Sequence, residues 1–485
     1  MIPSTKTYFL LFLGIILGTG FAHVLTINSS IAITAGFDFV VLALAVIDRF
    51  RSQSHRVQVE RLPLGKLSIG RDNSVHLIVN SGIDLSKEKN PSKSISNKLT
   101  SKSNLSKKLD RATHLAQSSP KPTTKPTQIK IYDHYPWEFT TDLQKQPKLP
   151  LEALIDDNSS IELSYHVYPQ HRGEFKWGNL QVRQLGRWGL AWDSWTVQAS
   201  TPVRVYPDLI GLRQLTVKLT TENSSNRKRS QRLGMGTEFS ELREYRAGDD
   251  PRLIDWKATA RKVNTLQPLQ VRVLEPEQEQ TLIILLDRGR LMTSQVQGLA
   301  RFDWGLNAAL ALALTGLHRG DRVGIGVFDR KMHTWLPPER GQNQISRLVE
   351  SLTPIQPELL EPDYMGAVTH LVQHQSRRAL IVVITDIIDS TASGELLAAL
   401  TRLTPRYLPF CVTLRDPEVD RQAQALTPDL RSAYIRAVAL DLMVQRNVAF
   451  ARLKQQGVLV LDAPVSQISE QLIDRYLQLK ARNLL

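Results

Sequence analysis

Apolar residues run almost unbroken from Tyr8 to Ile27 and, after the polar turn Asn28-Ser29-Ser30, again from Ile31 to Ile47. The first run is long enough for a helix to cross a bilayer, and the second is at the short end of that range. Asp38 interrupts the second run. A carboxylate is costly in lipid, so it is expected near a helix end, facing the partner helix or marking a function, the first two being the simpler readings. The second apolar run follows at once and no small-residue cleavage site separates the two, which favours a helical hairpin over a cleaved signal peptide. Beyond Arg56 the period shortens. VQVERLPLG, VHLIVN, IKIYDHYP, IELSYHVYP and PVRVYPD alternate apolar and polar residues between Gly, Pro and Asn. This pattern predicts short strands of one antiparallel sandwich. Residues 84–128, rich in Ser, Lys and Thr, break it and read as a disordered basic insertion.

Residues 209–235 read as a connector. From Gln280 onward the rhythm is βαβα. TLIILLD, RVGIGVFD, ALIVVITD, YLPFCVTL and VLVLDAP are strands, KMHTWLP is a short antiparallel one, and helices are expected over 301–317, 344–352, 364–375, 394–403, 429–456 and 469–483. Such alternation predicts a doubly wound parallel sheet covered on both faces. The expected organisation is a transmembrane hairpin (1–50), a β-sandwich (51–210), a connector (211–279) and an α/β domain (280–485).

Charge adds an orientation. Lys6 precedes the first apolar run, Arg49, Arg51 and Arg56 follow the second, and the turn between them has no basic residue. By the positive-inside tendency both ends, and the large body, face the cytoplasm. Lys and Arg total 61 against 47 Asp and Glu, a net +14. That excess suits contact with anionic lipid or nucleic acid and specifies neither. Cys411 is the one cysteine and sits in an apolar run, so no disulfide forms within the chain, as fits a reducing compartment.

The densest mixture of signals is the stretch from Gly236 to Arg261. Gly236, Glu238, Phe239, Leu242, Arg243, Tyr245, Gly248, Asp249, Asp250, Arg252, Asp255, Trp256, Lys257 and Arg261 fall into G-x-E-F-x-x-L-R-E-Y-x-x-G-D-D-x-R-x-I-D-W-K-x-x-A-R, before a strand ending in L-L-D. This signature resembles the domain of unknown function 58. The resemblance implies a membrane-tethered protein with a von Willebrand A-like domain, encoded beside MoxR-type AAA+ ATPases, and hence such an ATPase as the expected partner.

In von Willebrand A domains a divalent metal is held by D-x-S-x-S after the first strand, a later Thr and an Asp after the fourth strand. Here Asp287 and Asp386 stand at the two Asp positions, while Gly289 and Leu291 replace the serines. The loop Leu359–Met365 offers Glu361 and Asp363 but no Thr. The expectation is a degenerate site without a metal cofactor. Asp287, Arg288, Arg290, Glu361, Asp363 and Asp386 would instead form a charged edge that binds another protein. Asp249, Asp250 and Asp255 could serve a hydrolase, but arginines interleave them. They read as a structural clasp at the junction between the β and α/β regions, with Trp256 buried. No Walker A loop, H-E-x-x-H, G-x-S-x-G or CxxC occurs. The leading expectation is a non-enzymatic membrane adaptor; a basic lipid- or nucleic-acid-binding protein and a hydrolase are the alternatives.

Overall fold

The computed structural model describes residues 2–21, 27–81, 126–139, 146–157, 159–226, 238–246, 249–261, 269–275, 280–388, 393–426 and 429–482. Most of the basic insertion, the run Arg227-Lys228-Arg229, and Gly236 and Gly248 lie outside them. The chain divides into two compact units: residues 1–67, 72–169 and 174–204 form the first, and residues 68–71, 170–173 and 205–485 the second.

In the first unit, helices α1 (Thr5–Phe21) and α2 (Ile27–Gln53) pack side by side. The polar residues expected to form the turn, Asn28-Ser29-Ser30, lie inside the first turn of α2. A Cβ added at Gly14 would lie 2.7 Å from an Asp38 carboxylate oxygen, and one at Gly18 only 1.9 Å from the Thr34 hydroxyl. Two glycines four positions apart therefore let the helices approach closely. Asp38 faces the partner helix, one of the placements expected for it. The outward faces carry exposed Phe9, Phe12, Ile16, Phe39 and Leu42. The segment Ile31–Gln53 is long and apolar enough to cross a membrane, and the apolar part of α1, Thr5–Thr19, is shorter.

Both helices are fixed at one place. Ile2–Pro3 pairs with Ala191 and Trp192, and the hydroxyls of Ser4 and Thr7 donate to the carbonyls of Gly189 and Leu190. From the far end of α2, buried Asp48 accepts from the amides of Trp188 (3.1 Å) and Leu190 (3.0 Å). The chain thus leaves and returns at the β-turn 186–190.

The strands of this region form three sheets rather than two. Five strands run in the order Ile2–Pro3, Ala191–Val197, Leu180–Leu185, Thr127–Asp133, Leu151–Ile155, all antiparallel. Gln58–Arg61, Asn73–Asn80 and Ser160–Val167 form an antiparallel trio, and Leu67–Ser68, Thr201–Tyr206 and Gly173–Trp177 another three. The core holds a buried ion pair, Arg61 with Asp133 (2.5 Å), and the Trp177 indole donates to the same carboxylate (3.0 Å). Trp177 and Tyr165 are buried, as alternating strand aromatics generally are, whereas Trp188 is exposed.

The second unit contains a six-stranded sheet in the order Met332–Glu339, Arg322–Phe328, Thr281–Asp287, Leu380–Thr385, Leu408–Arg415, Leu459–Pro464. Five strands are parallel and the first in that order is antiparallel. Side chains of the central strand alternate between two cores. Leu282, Ile284 and Leu286 face the helices Arg301–His318, Gln342–Leu352 and Ile468–Ala481. Ile283 and Leu285 face Tyr364–His374, Gly394–Leu403 and Leu430–Gln455. This is the expected doubly wound sheet. Three helices depart from the expected pattern, the short Trp256–Arg261 among them. Leu209–Asn226, expected as a connector, is helical because Leu209 and Leu212 pack on the first of these cores despite a polar remainder. Pro417–Gln424 is short and charged, with Asp416 as its cap.

Candidate functional site

Parallel strands end together, so the C-terminal edge of this sheet gathers the residues that follow them. Asp287 closes the central strand and is fully buried. One of its oxygens accepts from the Gly289 amide (2.7 Å), the other from the hydroxyls of Thr385 (2.7 Å) and Tyr364 (3.0 Å). The hydroxyls missing from the sequence pattern are thus supplied by a strand residue and a helix-start residue. Asp386 accepts from Arg301 (2.6 Å), Arg446 (2.7 Å) and the Ile387 amide (2.9 Å). Arg446 reaches on to Asp462 (2.8 Å), which also takes the Thr413 hydroxyl (2.8 Å). Burial works against the Arg446 charge, but Asp386 and Asp462 hold its pKa above the usual value.

A divalent ion needs carboxylate oxygens free to coordinate it. Here protein donors hold those of Asp287 and Asp386, and among the described residues no three His, Cys, Asp or Glu side chains are grouped to hold a metal.

The rim has two layers. Arg288 is buried and bridges Asp329 (2.7 Å) and Glu358 (2.5 Å), so it fixes the loops. Arg290 pairs with Glu361 (2.7 Å) in the open, and Leu359 between the two glutamates is 76% exposed. Asp363 caps the helix Tyr364–His374 through the Gly366 amide (2.6 Å). The edge therefore brings together all six residues that the sequence singled out. Sequence reasoning missed Arg301, Tyr364, Thr385, Arg446 and Asp462. Thr385, adjacent to Asp386 at a strand end, carried the one local signal.

Desolvation raises the Asp287 pKa above its usual range, against the opposing hydrogen bonds from Thr385, Gly289 and Tyr364. A carboxyl with a raised folded pKa binds its proton more tightly when folded. It therefore costs stability as pH rises from the unfolded value through the folded one. Asp287→Asn cannot ionise. Relative to wild type its melting temperature should improve as pH rises above the ordinary carboxylate range. A difference that stays constant as pH rises would show that Asp287 is not the source.

Within the signature stretch, strand Glu238–Glu244 forms an antiparallel hairpin ladder with Gln270–Glu275. Asp249 takes both guanidinium nitrogens of Arg243 (2.6 and 2.7 Å) and the Arg246 amide. Those hydrogen bonds, Arg243 first, hold its pKa at about 2. Asp250 caps the turn 251–253 through the Arg252 amide. Asp255 receives Arg272 (2.7 Å) and the Ala258 amide, which lower its pKa. The pairs thus close within the hairpin. Trp256 is 66% exposed, against the expectation of burial, and Leu242, Arg252, Lys257 and Arg261 are exposed too. A short helix, Trp256–Arg261, with no buried residue gives the indole nothing to pack on. Tyr245 donates to the Asp249 carbonyl (3.4 Å), and the side chains of Glu238 and Phe239 are outside the described set.

Residues 241–432 match the family described as "Protein of unknown function DUF58". Uncharacterized proteins of Mycobacterium tuberculosis (Rv1480) and Mycobacterium bovis (Mb1516) are each 23% identical over 223 residues, covering 45% of this chain and 68% of theirs. Among solved structures, the conserved hypothetical protein BatB from Bacteroides thetaiotaomicron is 17% identical, covering 42% of this chain and 99% of its own, with a TM-score of 0.30. An aerotolerance-related membrane protein from Bacteroides fragilis is 16% identical over 40% of this chain and 97% of its own, with a TM-score of 0.28. Most of the signature stretch and five of the six strands of the α/β sheet thus lie in the segment that matches the DUF58 family model.

Proposed function

We propose that the protein is a membrane-anchored adaptor. The α1–α2 pair spans the bilayer as a hairpin, the body lies in the cytoplasm, and the von Willebrand A-like unit binds a protein through its strand ends. The observation that carries this reading is the edge itself. Its inner carboxylates are closed by Thr385, Tyr364, Arg301 and Arg446, while its rim presents Leu359 beside the open pair Arg290–Glu361. An exposed apolar anchor among charges suits a protein contact better than a small-molecule pocket. The adaptor works without metal, cofactor or specific nucleic acid. Its acidic cluster is held by arginines and does no acid–base chemistry. The exposed apolar faces of α1 and α2 support the anchor. The proposed partner, a MoxR-type AAA+ ATPase, rests on the family resemblance alone.

Co-purification of tagged full-length protein from solubilised membranes tests this. The double variant Arg290→Glu, Leu359→Asp changes two exposed side chains and should fold normally. An AAA+ ATPase should accompany wild type and drop roughly tenfold or more with the variant. If none accompanies wild type, the partner is wrong; if the variant retains it fully, the surface is wrong.

A further inference from the structure

We propose that Lys6, Arg51 and Trp188 form a site for the headgroup of an acidic phospholipid at the foot of the α1–α2 pair. The proposal rests on the membrane reading above and adds a ligand to it. Lys6, at the start of α1, and Arg51, near the end of α2, converge on the β-turn 186–190. The Arg51 guanidinium lies 5.5 Å from the centre of the Trp188 ring, and the Lys6 ammonium is 3.4 Å from where a Gly189 Cβ would stand. Neither cation has a carboxylate partner among the described residues. The nearby acids are engaged elsewhere: Asp48 by the Trp188 and Leu190 amides, Asp193 by Arg49 and Arg56, Asp157 by Arg187. Two unneutralised cations thus remain beside an exposed indole.

The shape of the site selects among anions. The groove is lined by Thr5, Lys6, Phe9, Leu10, Trp188 and Leu190. From Phe9 and Leu10 the apolar surface continues up α1 through exposed Phe12, Leu13 and Ile16. A ligand that fills it joins an anionic head to a long apolar tail. A nucleic acid or an acidic peptide has the charge without the tail, and a free phosphate would leave the groove empty. The tryptophan stands where the apolar helix faces meet the polar β turn, the level at which indoles settle in bilayers.

The test uses full-length protein in nanodiscs of phosphatidylcholine with or without phosphatidylglycerol, with bound lipid counted by native mass spectrometry after release. Wild type should retain phosphatidylglycerol preferentially, and retention should fall roughly fivefold for each charge removed in Lys6→Gln and Arg51→Gln. The swap Lys6→Arg with Arg51→Lys should keep most of it. Inorganic phosphate added to the detergent-solubilised protein should not compete. Equal retention by the double Gln variant, which keeps the basic insertion intact, overturns the site. So does a charge-preserving swap as damaging as the Gln pair, or displacement by phosphate. A wild-type chain that stays in solution without detergent or lipid sinks the membrane reading itself.

Discussion

Arg172→Ala should destabilise the second unit by roughly 3–5 kcal/mol, the range expected when one member of a buried ion pair is removed. Arg172 is fully buried and Asp303 nearly so; its Nε donates to the Asp303 carboxylate. Its other nitrogens donate to the carbonyls of Leu352 (3.2 Å), Thr353 (3.1 Å) and Ile355 (2.8 Å). These are carbonyls at and just past the end of helix Gln342–Leu352, and helix ends leave such groups without intrahelical partners. The alanine variant therefore strands a buried carboxylate and the carbonyls of Thr353 and Ile355 together, while that of Leu352 keeps the Ile355 amide (3.2 Å). Asp303→Asn keeps an acceptor for Nε and should lose clearly less. Thermal melting of the detergent-solubilised chain distinguishes them. An Arg172→Ala melt within a degree or two of wild type would remove this residue from the structural account.

Arg172 also marks the limit of what sequence can show. It sits in the turn of a strand-turn-strand segment, and nothing local sets it apart from the arginines around it. The arginines that do attract notice, Arg243 and Arg272, close pairs only within their own hairpin. The parallel sheet was legible because its strands are continuous apolar runs and its longer helices carry apolar faces. The helix Pro417–Gln424 had a readable start, Asp followed by Pro, but too few apolar positions to announce itself. Leu209–Asn226 failed for a different reason: its Thr, Asn and Ser content suggests a loop, and contacts with a core elsewhere in the chain override that preference. The site was legible up to its carboxylates. Asp287 and Asp386 stand at strand ends, where topology collects ligands. What satisfies them does not, since Arg301 and Arg446 lie 85 and 60 positions from Asp386. Only the folded arrangement distinguishes a vacant metal site from one closed by guanidinium groups.

That distinction yields the second large effect. Arg446 lies between Asp386 and Asp462, with one nitrogen on each, and its side chain is 13% exposed. In Arg446→Ala the two carboxylates lose their shared cation. Arg301 remains on Asp386, but Asp462 keeps only the Thr413 hydroxyl and a 3.7 Å approach from Arg415. The expected loss is again roughly 3–5 kcal/mol. It should have a feature the Arg172 variant lacks. Two carboxylates released into one pocket attract a divalent ion, for which oxygen ligands are the natural shell. Millimolar Mn²⁺ or Mg²⁺ should therefore raise the melting temperature of Arg446→Ala by a few degrees and leave wild type unchanged, since binding to the folded state alone stabilises it. Calorimetry should give no heat of Mg²⁺ binding to wild type. Sub-micromolar Mg²⁺ binding by wild type, abolished by Asp287→Ala, would mean that the strand edge is a working metal site and that the guanidinium groups do not close it. Failure of the metal to rescue Arg446→Ala would show instead that Arg301 alone keeps Asp386 closed.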